Sequence, residues 1–250
     1  MPANRTAGSR RLSALADMRV LVVGVGGLGC PAAIALAAAG VGTIGLVDPD
    51  KVELSNLPRQ TLYNPSHIGQ LKVEIAAGQL QLRFPGIRLR QHCTELTAST
   101  FAEITSGYQF AIDATDQGVT KFLMNDQCVS VGMPLVHAGV VGFDAQLMTI
   151  VPGSSCLRCL FPQPPENDDA PACRESGVLG GIVGCFGYLQ AAEAIAYLLN
   201  EEPPRYTNRL LTYDGGRARW HVMSVPRASD CASCGLGQPS TGSRPNETRI

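Results

Sequence analysis

The sequence predicts an α/β protein on a doubly wound, Rossmann-like, mostly parallel sheet, with an antiparallel C-terminal extension and a four-cysteine zinc knuckle. Three observations predict it. Strand-like and helix-like runs alternate from Arg19 to Val131, and a glycine-rich turn, Gly24 to Gly29, joins the first strand to the first helix. Two Cys-x-x-Cys pairs, Cys156/Cys159 and Cys231/Cys234, lie about seventy residues apart.

Arg19–Val23 is a continuous apolar run, as in a strand buried on both faces, and the Ala-rich stretch Leu28–Ala39 is helical and ends at Gly40. Thr43–Val47 is the second strand, and Ile68–Phe84 has helical spacing that stops before Pro85. Strands are expected at Ile87–His92 and Phe110–Ala114, and helices at Thr97–Ile104 and Val119–Val131. After Pro134, LVHAGVVG and AQLMTIVP leave no room for a crossover helix, so the sheet turns antiparallel there. Residues 161–176 form a Pro-rich acidic crossover loop, followed by a glycine-punctuated helix and two strands joined at Gly215-Gly216. The expected organisation is a flexible basic arm over residues 1–17, one domain over 18–235, and a disordered tail over 236–250.

At 250 residues, 45% hydrophobic and 16% charged, the chain has the composition of a globular enzyme. A net charge of −1 gives no electrostatic case for nucleic acid or for an anionic membrane. The most apolar stretch, Val178–Leu199, is broken by four glycines and carries Gln190 and Glu193, so it is expected as a buried helix. Nine cysteines, four of them in Cys-x-x-Cys pairs, favour a reducing compartment, the cytoplasm by default.

Gly24, Gly26 and Gly29 satisfy G-x-G-x-x-G between a strand and a helix, where backbone N–H groups can face phosphates. Asp48 follows the second strand, placed to take ribose hydroxyls. On these facts alone NAD is the first reading. Arg59 and Lys72 shift the balance, because two cations beyond the ribose acid suit a triphosphate better than a nicotinamide. Asp116 falls at the carboxyl edge of the sheet, where a carboxylate beside a triphosphate has Mg2+ as its partner. Asp113 is expected on the same face if its strand continues, or else as a structural carboxylate; Asp116 is the preferred metal-side residue.

The four pair cysteines can complete an all-thiolate, closed tetrahedral shell, which suits structural Zn2+; redox-active or disulfide pairs are the alternatives. Cys173 ends the crossover loop beside Arg174, where a cation and a helix start favour thiolate, so it is the candidate nucleophile toward an acyl-adenylate. Cys30, Cys93, Cys128 and Cys185 are expected as packing residues, and His67 and His137 are left without a role.

Taken together, GVGGLG, DPDKVELSNLPRQ, GQLKVE and DATD resemble the ThiF/MoeB/HesA family of adenylyltransferases, relatives of the ubiquitin-activating enzymes, with later segments nearest ThiF. The resemblance implies a homodimer that uses ATP and Mg2+ to adenylate the C-terminal glycine of a small ubiquitin-like sulfur-carrier protein, with a sulfur donor enzyme acting afterwards. The pathway implied is thiamine or related sulfur-containing cofactor synthesis. Carried over by position, Gly27, Asp48, Ser55, Asn56, Arg59, Lys72 and Asp116 would hold ATP and Mg2+, Cys173 would serve acyl transfer, and the four pair cysteines would hold zinc. Gln117 stands where the family has asparagine, keeping an amide on a longer stem. The family's R-Y-x-R-Q motif has no counterpart, and Arg5, Arg10 and Arg11 occupy the arm instead. The other readings are an NAD-dependent oxidoreductase and a catalytically idle carrier-binding scaffold.

Overall fold

The computed structural model describes residues 14–164, 177–200 and 203–235. Eight strands are present: β1 (Arg19–Val23), β2 (Thr43–Val47), β3 (Arg88–His92), β4 (Phe110–Asp113), β5 (Leu135–Val141), β6 (Asp144–Ile150), β7 (Arg209–Asp214) and β8 (Arg219–Ser224). They form one sheet in the order β3-β2-β1-β4-β5-β6-β7-β8. The first five pair in parallel and the last four are joined antiparallel. Strand order reverses direction between β1 and β4, which opens a crevice at their carboxyl ends.

The helices are α1 (Gly29–Ala39), α2 (Lys72–Arg83), α3 (Phe101–Thr105), α4 (Gly118–Val131), α5 (Leu157–Leu160) and α6 (Gly180–Leu199). They cover both faces of the sheet. Val20, Val22, Ile44 and Phe110 meet α1, α2 and α6 on one side, while Leu21, Val23 and Ala111 meet α3 and α4 on the other. This two-sided burial explains why β1 and β2 read as unbroken apolar runs, whereas the edge strand β3 carries Arg88 and Arg90 outward.

Helix α6 is long and apolar enough to cross a membrane by length and composition. In the fold it packs along α1 and β5, and the approach is close: a Cβ at Gly187 would lie 2.3 Å from Leu28 O. Its buried polar residues reach partners on other segments, although Gln190 Oε1 has none. Glu193 accepts from Thr149 Oγ1 at 2.6 Å and from the backbone N–H groups of Arg205 and Tyr206, and Gln190 donates to Asp113 O at 2.6 Å.

Three boundaries differ from the sequence reading. The helix expected from Ile68 begins at Lys72, because Gly69 takes a φ of +85° and residues 69–71 instead bond back to Lys51 and Val52. The helix expected from Thr97 begins at Phe101, the preceding residues forming a Thr97–Thr100 hydroxyl-bonded turn. The arm expected over 1–17 gives way by Leu15, which is fully buried in the core. Residues 1–13, the crossover loop beyond residue 164 and the tail from 236 lie outside the described residues, and with them Arg5, Arg10, Arg11 and Cys173.

Candidate functional site

The crevice between β1 and β4 holds a cavity of about 450 Å3, the size of a small-molecule site. Gly24, Gly26 and Gly27 form one wall, and Asp48, Arg59 and Lys72 a second; Asp116, Gln117 and Lys121 close the β4 side, with Thr94–Leu96 beside them.

The glycines have distinct roles. Gly24 takes a φ of +88°, and a Cβ there would sit 2.6 Å from Ala114 O, so it fits the turn between β1 and β4. Gly29 lies outside the cavity; its Cβ would meet Gly24 O at 1.9 Å, so it lets α1 start directly under the turn. Gly26 lines the cavity beside Gln60, and Gly27 leaves room for Val183, whose Cγ1 would lie 2.6 Å from a Cβ there.

Beneath the turn every backbone group around Val25 is engaged. Val25 N–H donates to Asp48 Oδ2 at 2.7 Å, and Val25 O accepts from Tyr63 Oη at 2.8 Å and from Cys30 Sγ at 3.4 Å. Burial pushes the Cys30 thiol up to about 12, so it remains a neutral donor. Asp48 is also buried, which raises its carboxyl against the opposing pull of Lys72 3.9 Å away. Asp48 Oδ1 accepts from Asp50 N–H at 2.9 Å, and Lys72 Nζ pairs with Asp50 Oδ2 at 2.8 Å.

Ser55 and Asn56 do not line the cavity. They build the turn that presents Arg59: Asn56 Oδ1 accepts from Glu53 N–H at 3.1 Å, Ser55 Oγ donates to Glu53 Oε2 at 3.2 Å, and Ser55 O accepts from Arg59 Nη1 at 2.9 Å. Asp116 is exposed at the cavity rim, after the strand ends. Asp113 and Asp116 are three residues apart, so strand alternation would turn them to opposite faces and not to the same one, and β4 in any case stops at Asp113; the two carboxylates part. Asp113 is fully buried behind the site, bonded to Lys121, His137 and Thr115.

Among the cavity residues that escaped the sequence reading are Gln60, Lys121 and the stretch Thr94–Leu96. Gln60 was visible beside Arg59, but nothing in the pattern told it from a surface amide. Lys121 stands one helical turn after Gln117, and only the tertiary contact with Asp113 turns it inward.

At the other end of the domain, the sulfur atoms of Cys156, Cys159, Cys231 and Cys234 all lie within 4.8 Å of one another. Cys156 and Cys231 are 3.6 Å apart and Cys159 and Cys234 3.3 Å, close to the spacing of about 3.8 Å that tetrahedral Zn–S bonds of ~2.3 Å impose. Burial pushes the Cys156 thiol up; at Cys231 burial also raises, but backbone N–H groups of Cys234 and Ser233 outweigh it and draw the thiol down. Ala228 N–H lies 3.4 Å from Cys159 Sγ. The donor set fits a thiophilic dication. Helix α4 anchors it: Asp126 takes a two-point bond from Arg158 at 2.7 Å each, and Asn125 Oδ1 accepts from Leu157 N–H at 2.8 Å. Of the cysteines expected as packing residues, Cys30 and Cys128 are buried. Cys93, which follows the edge strand, and Cys185, on the outer face of α6, are exposed.

The cavity at the point where strand order reverses and the four clustered cysteines belong to a Rossmann-like α/β fold. The model of the ThiF family matches residues 3–234, and the chain belongs to that family. Adenylyltransferase and sulfurtransferase MOCS3 of Bos taurus is 41% identical over 230 residues, 91% of this chain and 50% of that protein. SAMP-activating enzyme E1 of Haloferax volcanii is 40% identical over 223 residues, 89% of this chain and 82% of that protein. The chain thus spans about half the length of the MOCS3 relatives it matches. Among solved structures, Escherichia coli MccB with ATP superposes with a TM-score of 0.78 at 22% identity, over 90% of this chain and 69% of that one, a likeness of fold.

Proposed function

We propose that this chain is an ATP-dependent adenylyltransferase that activates the C-terminal carboxylate of a small ubiquitin-like sulfur-carrier protein. The observation that carries the reading is the cavity itself: a glycine wall, a ribose-side acid and two cations, Arg59 and Lys72, facing an exposed carboxylate, Asp116. The adenylyltransferase names of MOCS3 and the SAMP-activating enzyme support it.

In this reading ATP lies along the glycine turn with its ribose at Asp48. The carrier's carboxylate oxygen forms a bond to the α-phosphorus as the bond to pyrophosphate breaks, giving an acyl-adenylate. Arg59 and Lys72 offset the charge that develops on the leaving pyrophosphate. Mg2+ near Asp116 would neutralise and orient the phosphates. Cys173 would then take the acyl group, displacing AMP, before a sulfur donor enzyme acts. Zn2+ at the four cysteines would be structural, the working form a homodimer, and the pathway one that makes thiamine or a related sulfur-containing product. A reducing cytoplasm would keep the thiols available. Nothing at the cavity calls for a nicotinamide, and Lys72 and Arg59 speak against an idle scaffold.

The test is ATP–pyrophosphate exchange with a carrier ending in Gly-Gly, in wild type and in Asp116→Ala. Carrier-dependent exchange that the variant loses would support the reading. ATP binding without exchange would move it to the scaffold.

A further inference from the structure

The segment from Asn56 to Tyr63 runs beneath the glycine turn and touches it residue by residue. Arg59 Cγ lies 3.5 Å from where a Gly27 Cβ would be, and Gln60 Nε2 lies 3.5 Å from where a Gly26 Cβ would be. Tyr63 Oη bonds to Val25 O. Two of these three have a plain role, since Arg59 supplies charge and Tyr63 fixes the turn. Gln60 has none in the unliganded protein. It is only 4% exposed, it lines the cavity, and its Oε1 has no hydrogen-bond partner.

Buried amide oxygens are seldom left unpaired, because an unmade bond costs the full desolvation of the group. Gln190 Oε1, in the core, is likewise unpaired; what sets Gln60 apart is that its side chain lines the cavity, where a turn of the amide brings the oxygen, closed to solvent in the empty protein, to a ligand group. The amide presents one end that donates and one that accepts. A magnesium triphosphate offers the complement of both: phosphate oxygens that accept and metal-bound waters that donate. A bare phosphate chain would satisfy the Nε2 end alone, since it carries no donor for Oε1.

We infer that Gln60 is a nucleotide-binding residue, a neutral ligand of the metal–triphosphate that completes its hydrogen bonds only when that group is bound. This rests on the nucleotide reading of the cavity. It also makes a neutral amide, next to Arg59 in the chain, part of what recognises the phosphate chain.

The test compares wild type, Gln60→Met and Gln60→Asn by calorimetric titration with ATP in the presence and absence of Mg2+, and by thermal unfolding without ligand. Methionine keeps the length and removes both polar ends. Its apo protein should unfold at the same temperature as wild type or higher, because the orphan oxygen is gone. Its affinity for ATP with Mg2+ should fall about ten-fold, with a smaller loss when Mg2+ is absent. Asparagine, with the amide on a shorter stem, should bind more weakly than wild type and melt no higher. A Gln60→Met protein that melts lower but binds ATP as wild type does would overturn the inference and leave Gln60 a packing residue; so would unchanged melting with unchanged affinity. Failure of wild type to bind ATP at all would instead sink the nucleotide reading on which this stands.

Discussion

Lys72 Nζ lies 2.8 Å from Asp50 Oδ2, so a buried cation of the cavity is paired within the protein itself. Lys72 is buried while the Asp50 carboxylate is 56% exposed, so the pair can part on the Asp50 side at little cost in desolvation. On the proposed function, an incoming phosphate must displace Asp50 or share Lys72 with it.

Two opposite outcomes follow for the two partners. Asp50→Asn removes the competitor and should tighten ATP binding by a few-fold in titration calorimetry. Lys72→Ala should lower pyrophosphate exchange by about 10^2-fold or more, the scale for losing a charge-stabilising group, with a much smaller effect on melting temperature. Weaker ATP binding by Asp50→Asn would show that Asp50 serves the ligand rather than competing with it.

The knuckle predicts one tightly held zinc per chain, released by thiol-reactive reagents and absent from Cys231→Ser. Metal binding in such sites contributes on the order of 10–16 kcal/mol in apparent terms, so the variant should melt well below wild type. Asp126→Ala should have a milder effect of the same sign, because it frees Arg158 and Ser233 from the helix that supports the knuckle. Metal analysis that finds no zinc in freshly purified wild type, together with an unchanged melting point for Cys231→Ser, would refute a structural metal.

Much of this was legible in the sequence because period and punctuation act locally. The apolar runs of β1 and β2, Gly40 with its φ of +89° at the end of α1, and the paired cysteine turns each announce their structure within a few residues. What was not legible depends on contacts between distant segments. Asp113 and Asp116 read as near-equivalent acids in DATD, and the strand's end at Asp113, with Lys121 and His137 packed against it, separates a buried ion cluster from a cavity residue. Ser55 and Asn56, carried over from the family resemblance, bond within the Glu53 turn and do not line the cavity. The start of α2 was misplaced because the Gly69–Leu71 bonds to Lys51 and Val52 reach back some twenty residues, beyond any helical pattern.

The buried cluster behind the site predicts how stability depends on pH. Burial would raise Asp113, but Lys121 and the bonds from His137 and Thr115 hold its carboxyl well below the usual carboxylate range. Burial lowers His137, with Lys121 acting in the same direction, so the ring is neutral in the fold and donates from Nδ1 to Asp113 at 2.8 Å. The unfolded chain therefore binds the histidine proton more readily than the folded one. The His137 contribution is full above pH about 6.5, the unfolded value, and is lost as pH falls below it. The Asp113 contribution is present above about 3.9 and is lost only as pH falls through its depressed folded value. Urea unfolding at pH 7.5 and 5.5 should show wild type losing more stability on acidification than His137→Gln, by up to about 1.4 kcal/mol per pH unit. Parallel losses in the two proteins would remove His137 from the account.

The glycines of one motif should separate into two kinds. At Gly29 an added methyl would meet the Gly24 carbonyl at 1.9 Å, backbone against backbone in the densest part of the turn, and no rotamer can relieve it. Gly29→Ala should therefore destabilise by about 3 kcal/mol or more, at or beyond the upper end of ordinary overpacking, and lower the yield of folded protein. At Gly26 the same methyl meets only Gln60 Nε2, at the ordinary contact distance of 3.5 Å, and projects toward the cavity. Gly26→Ala should melt within a few degrees of wild type and lose affinity for ATP, because the methyl occupies the wall the phosphates approach. Thermal unfolding and nucleotide titration of both variants check this together. If Gly26→Ala were as unstable as Gly29→Ala, the turn would be held by its backbone conformation throughout, and the glycine wall would be a by-product of folding rather than a surface kept open for a ligand.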